Sequence, residues 1–215
     1  MPTSAALRAQ ARESLRGNWF AAILTTLLLY AVFFVLGLIN MIPVIGWLAD
    51  LFLAGPLIFG LYAYFQDFAR NRIPDVSVAF SGFKQFIDVF LLYLLISIFT
   101  YLWTLLLVIP GIIAALRYSQ AYYILRDNPE IGALEALRRS KQMMAGHKGR
   151  LFVLGLTFIG WAILAAIPFG IGYLWLAPYV LTTLAKFHED LKGRSFAHMP
   201  PPPPPPMPGR PPFQP

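Results

Sequence analysis

Four long apolar stretches without a charged residue constrain this chain more than any other feature. They cover residues 17–49, 51–66, 89–116 and 151–185. About 20 apolar residues in an α-helix cross the hydrocarbon core of a bilayer, and three of the four stretches exceed that length. A soluble domain of this size does not need such stretches. The sequence therefore predicts an all-α, polytopic helical membrane protein.

The composition agrees with a membrane protein and removes several kinds of chemistry. Hydrophobic residues make up 58% of the chain and charged residues only 13%, and the mean hydropathy is +0.62. The chain has no cysteine, which excludes disulfides and thiolate chemistry. The phosphate-binding, zinc-protease and serine-hydrolase motifs are absent. We therefore expect a protein that is not an enzyme, holds no metal or cofactor and binds no nucleic acid.

Proline and glycine divide the apolar stretches into about six transmembrane helices. Breaks are expected near Pro43, Pro110 and Pro168. The expected spans are residues 19–39, 45–65, 89–108, 110–125, 151–167 and 171–186. In an alternative with four or five spans, the short segment 110–125 is a re-entrant element instead.

The distribution of basic residues predicts the orientation. Sixteen of the 17 lysines and arginines, all except Arg117, lie in the N-terminal arm, the 66–88 and 126–150 connections and the C-terminal region. The other loops have none. By the positive-inside rule the basic side is cytoplasmic, and six spans place both termini there.

The chain thus has three predicted parts. Residues 1–18 form a basic cytoplasmic helix, residues 19–190 form the membrane domain with cytoplasmic loop 126–150, and residues 191–215 form a disordered proline-rich tail. The run Pro200–Pro206 favours polyproline II conformation. The tail is either a spacer or a ligand for an aromatic-lined groove.

Two cytoplasmic segments are candidates for contact with anionic lipid headgroups. In the N-terminal arm the basic residues repeat every four positions and form one helical stripe: Arg8, Arg12 and Arg16. In the 126–150 loop the candidates are Arg138, Arg139 and Lys141, on a second short amphipathic helix. Such helices bind anionic membrane surfaces. The other interpretation is that these charges only set the topology.

Arg117 is the one ionisable residue well inside an expected span. Burying such a residue in lipid is costly, so it is a candidate functional residue. Asp50 is its candidate partner, and Tyr118 and Tyr122 could bond to it nearby. The alternative is a structural bond, or a side chain that reaches toward the cytoplasmic surface.

His188 is followed by two acidic residues, Glu189 and Asp190, in an arrangement that could suggest a metal site. Consecutive residues of a helix point in different directions, which makes a poor site. We expect a solvated helix end there instead.

Several blocks of sequence, in order, resemble one family. The opening block is 7–19, and the central block, 102–119, contains Ile109-Pro110-Gly111-Ile112. Shorter blocks follow at 127–129, 136–140, 144–148, 158–161 and 177–179. They resemble the bacterial integral membrane proteins grouped as domain of unknown function 975, over about residues 5–191. The resemblance implies a bacterial cell membrane and supplies no activity.

These observations favour one function and leave an alternative. Basic cytoplasmic helices and the lack of catalytic motifs favour a scaffold or regulator that binds membrane lipids, a protein partner or a second copy of the chain. The alternative is a small-solute transporter or channel that uses Arg117, because interrupted helices often mark sites at membrane depth.

Overall fold

The computed structural model describes residues 2–42, 44–167 and 170–197, and these residues form helices without any strand. The predicted all-helical class is confirmed. The α-helices are α1 (Ser4–Leu15), α2 (Trp19–Ile39), α3 (Ile45–Ala69), α4 (Phe86–Leu106), α5 (Val108–Tyr118), α6 (Ala121–Asp127), α7 (Gly132–Met143), α8 (Lys148–Ala166) and α9 (Tyr173–Ala197). Two 3₁₀ segments, Val76–Gln85 and Pro129–Ile131, precede α4 and α7. The proline run Pro200–Pro206 lies outside the described residues.

Four helical segments in the described part of the chain are long and apolar enough to cross a membrane. They are Trp19–Ile39, Ile45–Ala69, Val76–Leu106 and Lys148–Ala166. They correspond to four of the expected spans. The third begins before residue 89 because the 3₁₀ segment leads directly into α4. Most of the expected span 171–186 lies in the first half of α9, which begins at Tyr173, and the second half of α9 is polar.

The expected single helix over residues 110–125 is wrong, because α5 ends at Tyr118 and α6 begins at Ala121. The hydroxyl of Ser140, on α7, donates to the carbonyl of Arg117 at 2.9 Å and accepts from the Gln120 amide at 3.2 Å. These bonds satisfy backbone groups at the break, so α5 and α6 can point in different directions.

Close backbone approaches at glycine fix how the neighbouring segments pack. A Cβ placed on Gly60 of α3 would lie 1.7 Å from the carbonyl oxygen of Ala79. On α5, a Cβ at Gly111 would lie 2.2 Å from the hydroxyl of Thr104 on α4. At Gly60 the 3₁₀ segment packs directly on α3, and at Gly111 α5 packs directly on α4 in a helical hairpin.

The connections between paired helices are apolar and exposed. Met41, between α2 and α3, is 80% exposed, and Ile109 and Ile167, near the other two hairpin turns, are both 72% exposed. Large apolar side chains at three separate turns need an apolar surrounding, which a bilayer provides.

Helix α1 packs into the bundle instead of lying free on a membrane surface. Its apolar stripe, Leu7, Ala11 and Leu15, is fully buried. Leu7 and Ala11 share a core with residues of α8 and α9, while Leu15 joins a core with α2 and α3. The protein, not lipid, therefore covers the apolar stripe of α1, and the arginine stripe lies next to it, about 100° around the helix.

Candidate functional site

A cleft of about 350 Å³ opens between α1, α2, α8 and α9. Most of its wall is aromatic or aliphatic, and one cation lies on it. We call it the aromatic cleft, and its lining residues are Arg12, Trp19, Trp161, Leu164, Ala165, Gly172, Trp175, Leu176 and Tyr179.

The local fold explains why Arg12 reaches this cleft. Burial of the neighbouring apolar stripe of α1 fixes the rotation of the helix, and a turn at Gly17, with φ of +81°, leads into α2 and Trp19. The guanidinium carbon of Arg12 lies 5.8 Å from the ring centroid of Tyr179, within cation–π range. Tyr179 is itself held edge-on by Phe158. Arg12 forms no ion pair with any described residue.

The other two arginines of the predicted stripe differ from Arg12. Arg8 donates from Nε to the carbonyl of Ser4 in its own helix. Arg16 is 80% exposed in its side chain and pairs with Glu13 at 3.6 Å. Of the three predicted lipid contacts in the N-terminal arm, Arg12 is the one that lines the aromatic cleft.

The predicted basic cluster on α7 is partly neutralised. Arg138 and Arg139 both pair with Glu135, at 2.5 Å and 2.9 Å. Lys141 is exposed. The opposite face of α7 is buried, with Ser140 at the helix break. These cations therefore lie on an outer surface and line none of the cavities described here.

A second cavity, of about 510 Å³, lies between α3, α4, α5 and α6. We call it the hydroxyl cavity, and its lining residues are Tyr62, Ile96, Ser97, Thr100, Tyr101, Thr104, Ala115, Tyr118, Ser119 and Tyr122. The structure thus brings the predicted residues Tyr118 and Tyr122 together. Neither Arg117 nor Asp50 is among the lining residues.

Arg117 and Asp50 do not form the ion pair that the sequence suggested. In the described residues Asp50 makes no ion pair and instead interacts electrostatically with Tyr93. Arg117 is half-buried, and its Nε has no hydrogen-bond partner among the described residues. The backbone carbonyl of Arg117 accepts a hydrogen bond from Ser140 at the break between α5 and α6.

A buried ionic network joins the ends of α3 and α6 to α9, and the sequence analysis did not anticipate it. Arg70 contacts both carboxylate oxygens of Asp127 at 2.7 Å and Glu189 at 2.8 Å. Lys192 contacts Asp127 at 2.6 Å. The network also includes the pair Arg126–Asp67 at 2.7 Å.

The electrostatics of Asp127 show how strongly the network is paired. Burial alone would raise the pKa of its carboxyl, but the nearby His188 ring and the hydrogen bonds from Lys192 and Arg70 hold the pKa well below its usual range. The carboxylate form is therefore strongly favoured by its neighbours.

The comparisons with known proteins identify a family. The family model described as protein of unknown function (DUF975) matches residues 1–109 and 104–195. The chain belongs to this family. No curated protein and no solved structure matches it.

The expectation that His188 lies at a solvated helix end is wrong. The ring is 1% exposed, stacks on Tyr123 at 4.8 Å and lies with Nδ1 3.1 Å from Gln120 Oε1. Asp127, His188 and Glu189 could bring three ligand atoms within 4.8 Å of one another. Because Arg70 and Lys192 already bind both oxygens of Asp127, that carboxylate is not free for a metal ion.

Proposed function

We propose that this protein is a non-enzymatic lipid-binding protein of the bacterial cell membrane, which holds an anionic lipid in the aromatic cleft. The observation that carries the proposal is Arg12, a cation without a carboxylate partner in the described part of the chain, at the wall of an otherwise apolar, indole-rich cleft. A scaffold or regulatory role follows from binding of this kind without catalytic groups.

The chemistry of the cleft fits both halves of a lipid. Arg12 is exposed and has no carboxylate partner among the described residues, and a phosphate in a headgroup would supply the opposite charge through bidentate hydrogen bonds. The three indoles and Leu164 offer an apolar wall for an acyl chain, and tryptophan is favoured where apolar and polar regions of a bilayer meet. The cleft volume of about 350 Å³ is within the usual range for ligand sites.

A topology with six membrane crossings, in which both termini, α1 and α7 lie on the cytoplasmic side, supports access of inner-leaflet lipids to the cleft. The ends of α3 and α6 meet α9 in the ionic network, which is consistent with their lying on one basic side. The broken α5–α6 segment and the apolar half of α9 then return the chain to that side. Because the chain has no cysteine, single cysteines at Lys141 and Met41 test this proposal. An impermeant thiol reagent should label them from opposite sides.

Lipid binding is tested by comparing two arginines of the same helix. We expect Arg12→Gln to lower the amount of co-purified anionic lipid about tenfold, as for the loss of one charge-assisted contact. Arg16→Gln makes the same charge change outside the cleft and should leave the amount unchanged. Mass spectrometry of protein purified in native lipid discs measures both. Equal lipid retention by wild type and Arg12→Gln contradicts the proposal.

A small-solute transporter or channel is the second candidate function. The observations that favour it are the break between α5 and α6 and the buried Nε of Arg117 without a partner among the described residues. Purified protein in liposomes should then admit small solutes in a swelling assay, and Arg117→Gln should abolish the permeation. Permeation at the wild-type rate in the variant removes Arg117 from this role.

A further inference from the structure

The hydroxyl cavity differs from the aromatic cleft in having polar groups without charge. Eight of its ten lining residues carry a hydroxyl, and none is acidic or basic. Its volume of about 510 Å³ is in the range of small-molecule sites. The cavity lies at the junction of four helices, so its shape depends on the helix break between α5 and α6.

Some of these hydroxyls are already used by the protein, and others are not. Ser119 donates to the carbonyl of Leu116 and accepts from Gln120, while Thr104 donates to the carbonyl of Thr100. The hydroxyl of Thr100 is buried and has no hydrogen-bond partner among the described residues. A buried hydroxyl of this kind is destabilising unless a ligand or water satisfies it.

Aromatic rings form the other part of the wall. Tyr62 and Tyr122 stack with centroids 5.5 Å apart, and Tyr118 packs against Phe99 at 6.0 Å. The rings are held by neighbours on α3 and α4, so they form a fixed surface. Tyrosine rings offer a flat apolar face beside a hydroxyl, a combination that suits a ligand with both C–H and O–H groups.

The charge and polarity of the wall restrict the ligand. A charged ligand would lose hydration without gaining an opposite charge, and a fully apolar ligand would leave the Thr100 hydroxyl unsatisfied. We propose that the hydroxyl cavity binds a neutral, polyhydroxylated group, such as a sugar ring or a polyol. The ligand's hydroxyls bond to Thr100, Thr104 and the tyrosines, and its C–H face lies on the rings.

Two sources could supply this group: the headgroup of a glycolipid or a free sugar. The rim of the cavity includes Tyr101, which is 68% exposed, and the neighbouring surface of α4 is apolar. An acyl chain could therefore leave the cavity along α4. The proposal is independent of the aromatic cleft, which shares none of these lining residues.

Native mass spectrometry of the full chain can test the proposal with three probes. These are a diglucosyl diacylglycerol, the diacylglycerol without sugar, and maltose. We expect the glucolipid to be retained about tenfold better than the diacylglycerol, as for two or three net hydrogen bonds. Retention of maltose as well identifies the sugar itself as the ligand, whereas retention of the glucolipid alone identifies a lipid headgroup. Equal retention of glucolipid and diacylglycerol overturns the proposal.

Matched variants locate the binding. Thr100→Val and Tyr122→Phe each remove one hydroxyl and should weaken glucolipid binding about threefold to tenfold. Thr157→Val is the control, since Thr157 lies on α8 and its hydroxyl bonds within that helix. Full binding by both cavity variants, with the helical circular dichroism of wild type, places the sugar elsewhere and overturns the proposal.

Discussion

The ionic network and the aromatic cleft show two different uses of arginine in one chain. Arg70 is surrounded by protein carboxylates, with Asp127 and Glu189 both within 2.8 Å of its guanidinium. Arg12 faces indoles and a tyrosine ring and has no carboxylate partner in the described structure. Where the fold needs a cation, the chain supplies the opposite charge. For Arg12, the proposed anionic lipid would supply the opposite charge instead.

The largest effect is expected from Asp127→Asn, which removes the shared partner of Arg70 and Lys192. Because Lys192 then loses its carboxylate and Arg70 keeps only Glu189, the free energy of unfolding should fall by about 3 kcal/mol, the low end for a broken buried pair. The low end applies since the side chain of Arg70 keeps 22% exposure. Chemical denaturation in mixed micelles measures the change.

Glu13→Gln is the control for that experiment. It breaks the exposed pair with Arg16, whose worth at a surface is about 0–1 kcal/mol. The double variant Arg70→Gln with Asp127→Asn should lose less than the sum of the single losses, because the two residues interact directly. Additive losses would show that the network is not the stabilising unit described here.

Acid should weaken the network but not the cleft. The folded-state pKa of Asp127 is below its value in the unfolded chain, so its stabilisation is complete above the unfolded pKa and is lost as pH falls. The unfolding midpoint should therefore be steady near neutral pH and decline below about pH 4. The decline should be smaller in Asp127→Asn. An identical acid profile for the variant would rule out Asp127 as its source.

The helical class and four spans could be predicted from the sequence because both depend on the length of continuous apolar stretches. Residues 19–39 were predicted with the same bounds that the structure gives α2. The break at residues 119–120 could not be predicted, because it depends on the hydroxyl of Ser140, more than one helix away along the chain. The residue pattern within one segment does not show which residue elsewhere in the chain will contact that segment.

The same reason explains the candidate sites. The stripe of Arg8, Arg12 and Arg16 predicted a basic face on the N-terminal helix, but only the folded bundle distinguishes Arg12 from its neighbours. Arg70 and Asp127 are far apart in sequence, so neither stood out. The expected pair of Asp50 and Arg117 needed their side chains to meet, and although residues of α3 and α5 share a core, the two do not pair in the described structure.

A smaller loss of stability is expected from Ser140→Ala. This variant compares the stabilisation from a neutral hydroxyl with that from the ionic network. The variant leaves the Arg117 carbonyl and the Gln120 amide without their side-chain partner, which should cost about 1–2 kcal/mol. Ser14→Ala, which removes an exposed hydrogen bond to Asn71, is the matched control and should change stability little. The same denaturation measurement applies. Equal losses in the two variants would mean that Ser140 does not hold the break.

The smallest effect on stability is expected from Arg12→Gln, and this variant tests the comparison most directly. In a neutral detergent the variant loses only a cation–π contact, about 0.5–1 kcal/mol at an exposed site. Adding an anionic lipid should then raise the unfolding midpoint of wild type and of Arg16→Gln, but not that of Arg12→Gln, because only a bound ligand stabilises the folded state by mass action. If Arg12→Gln is instead as unstable as Asp127→Asn in neutral detergent, Arg12 serves the fold as Arg70 does, and the difference between the two arginines disappears.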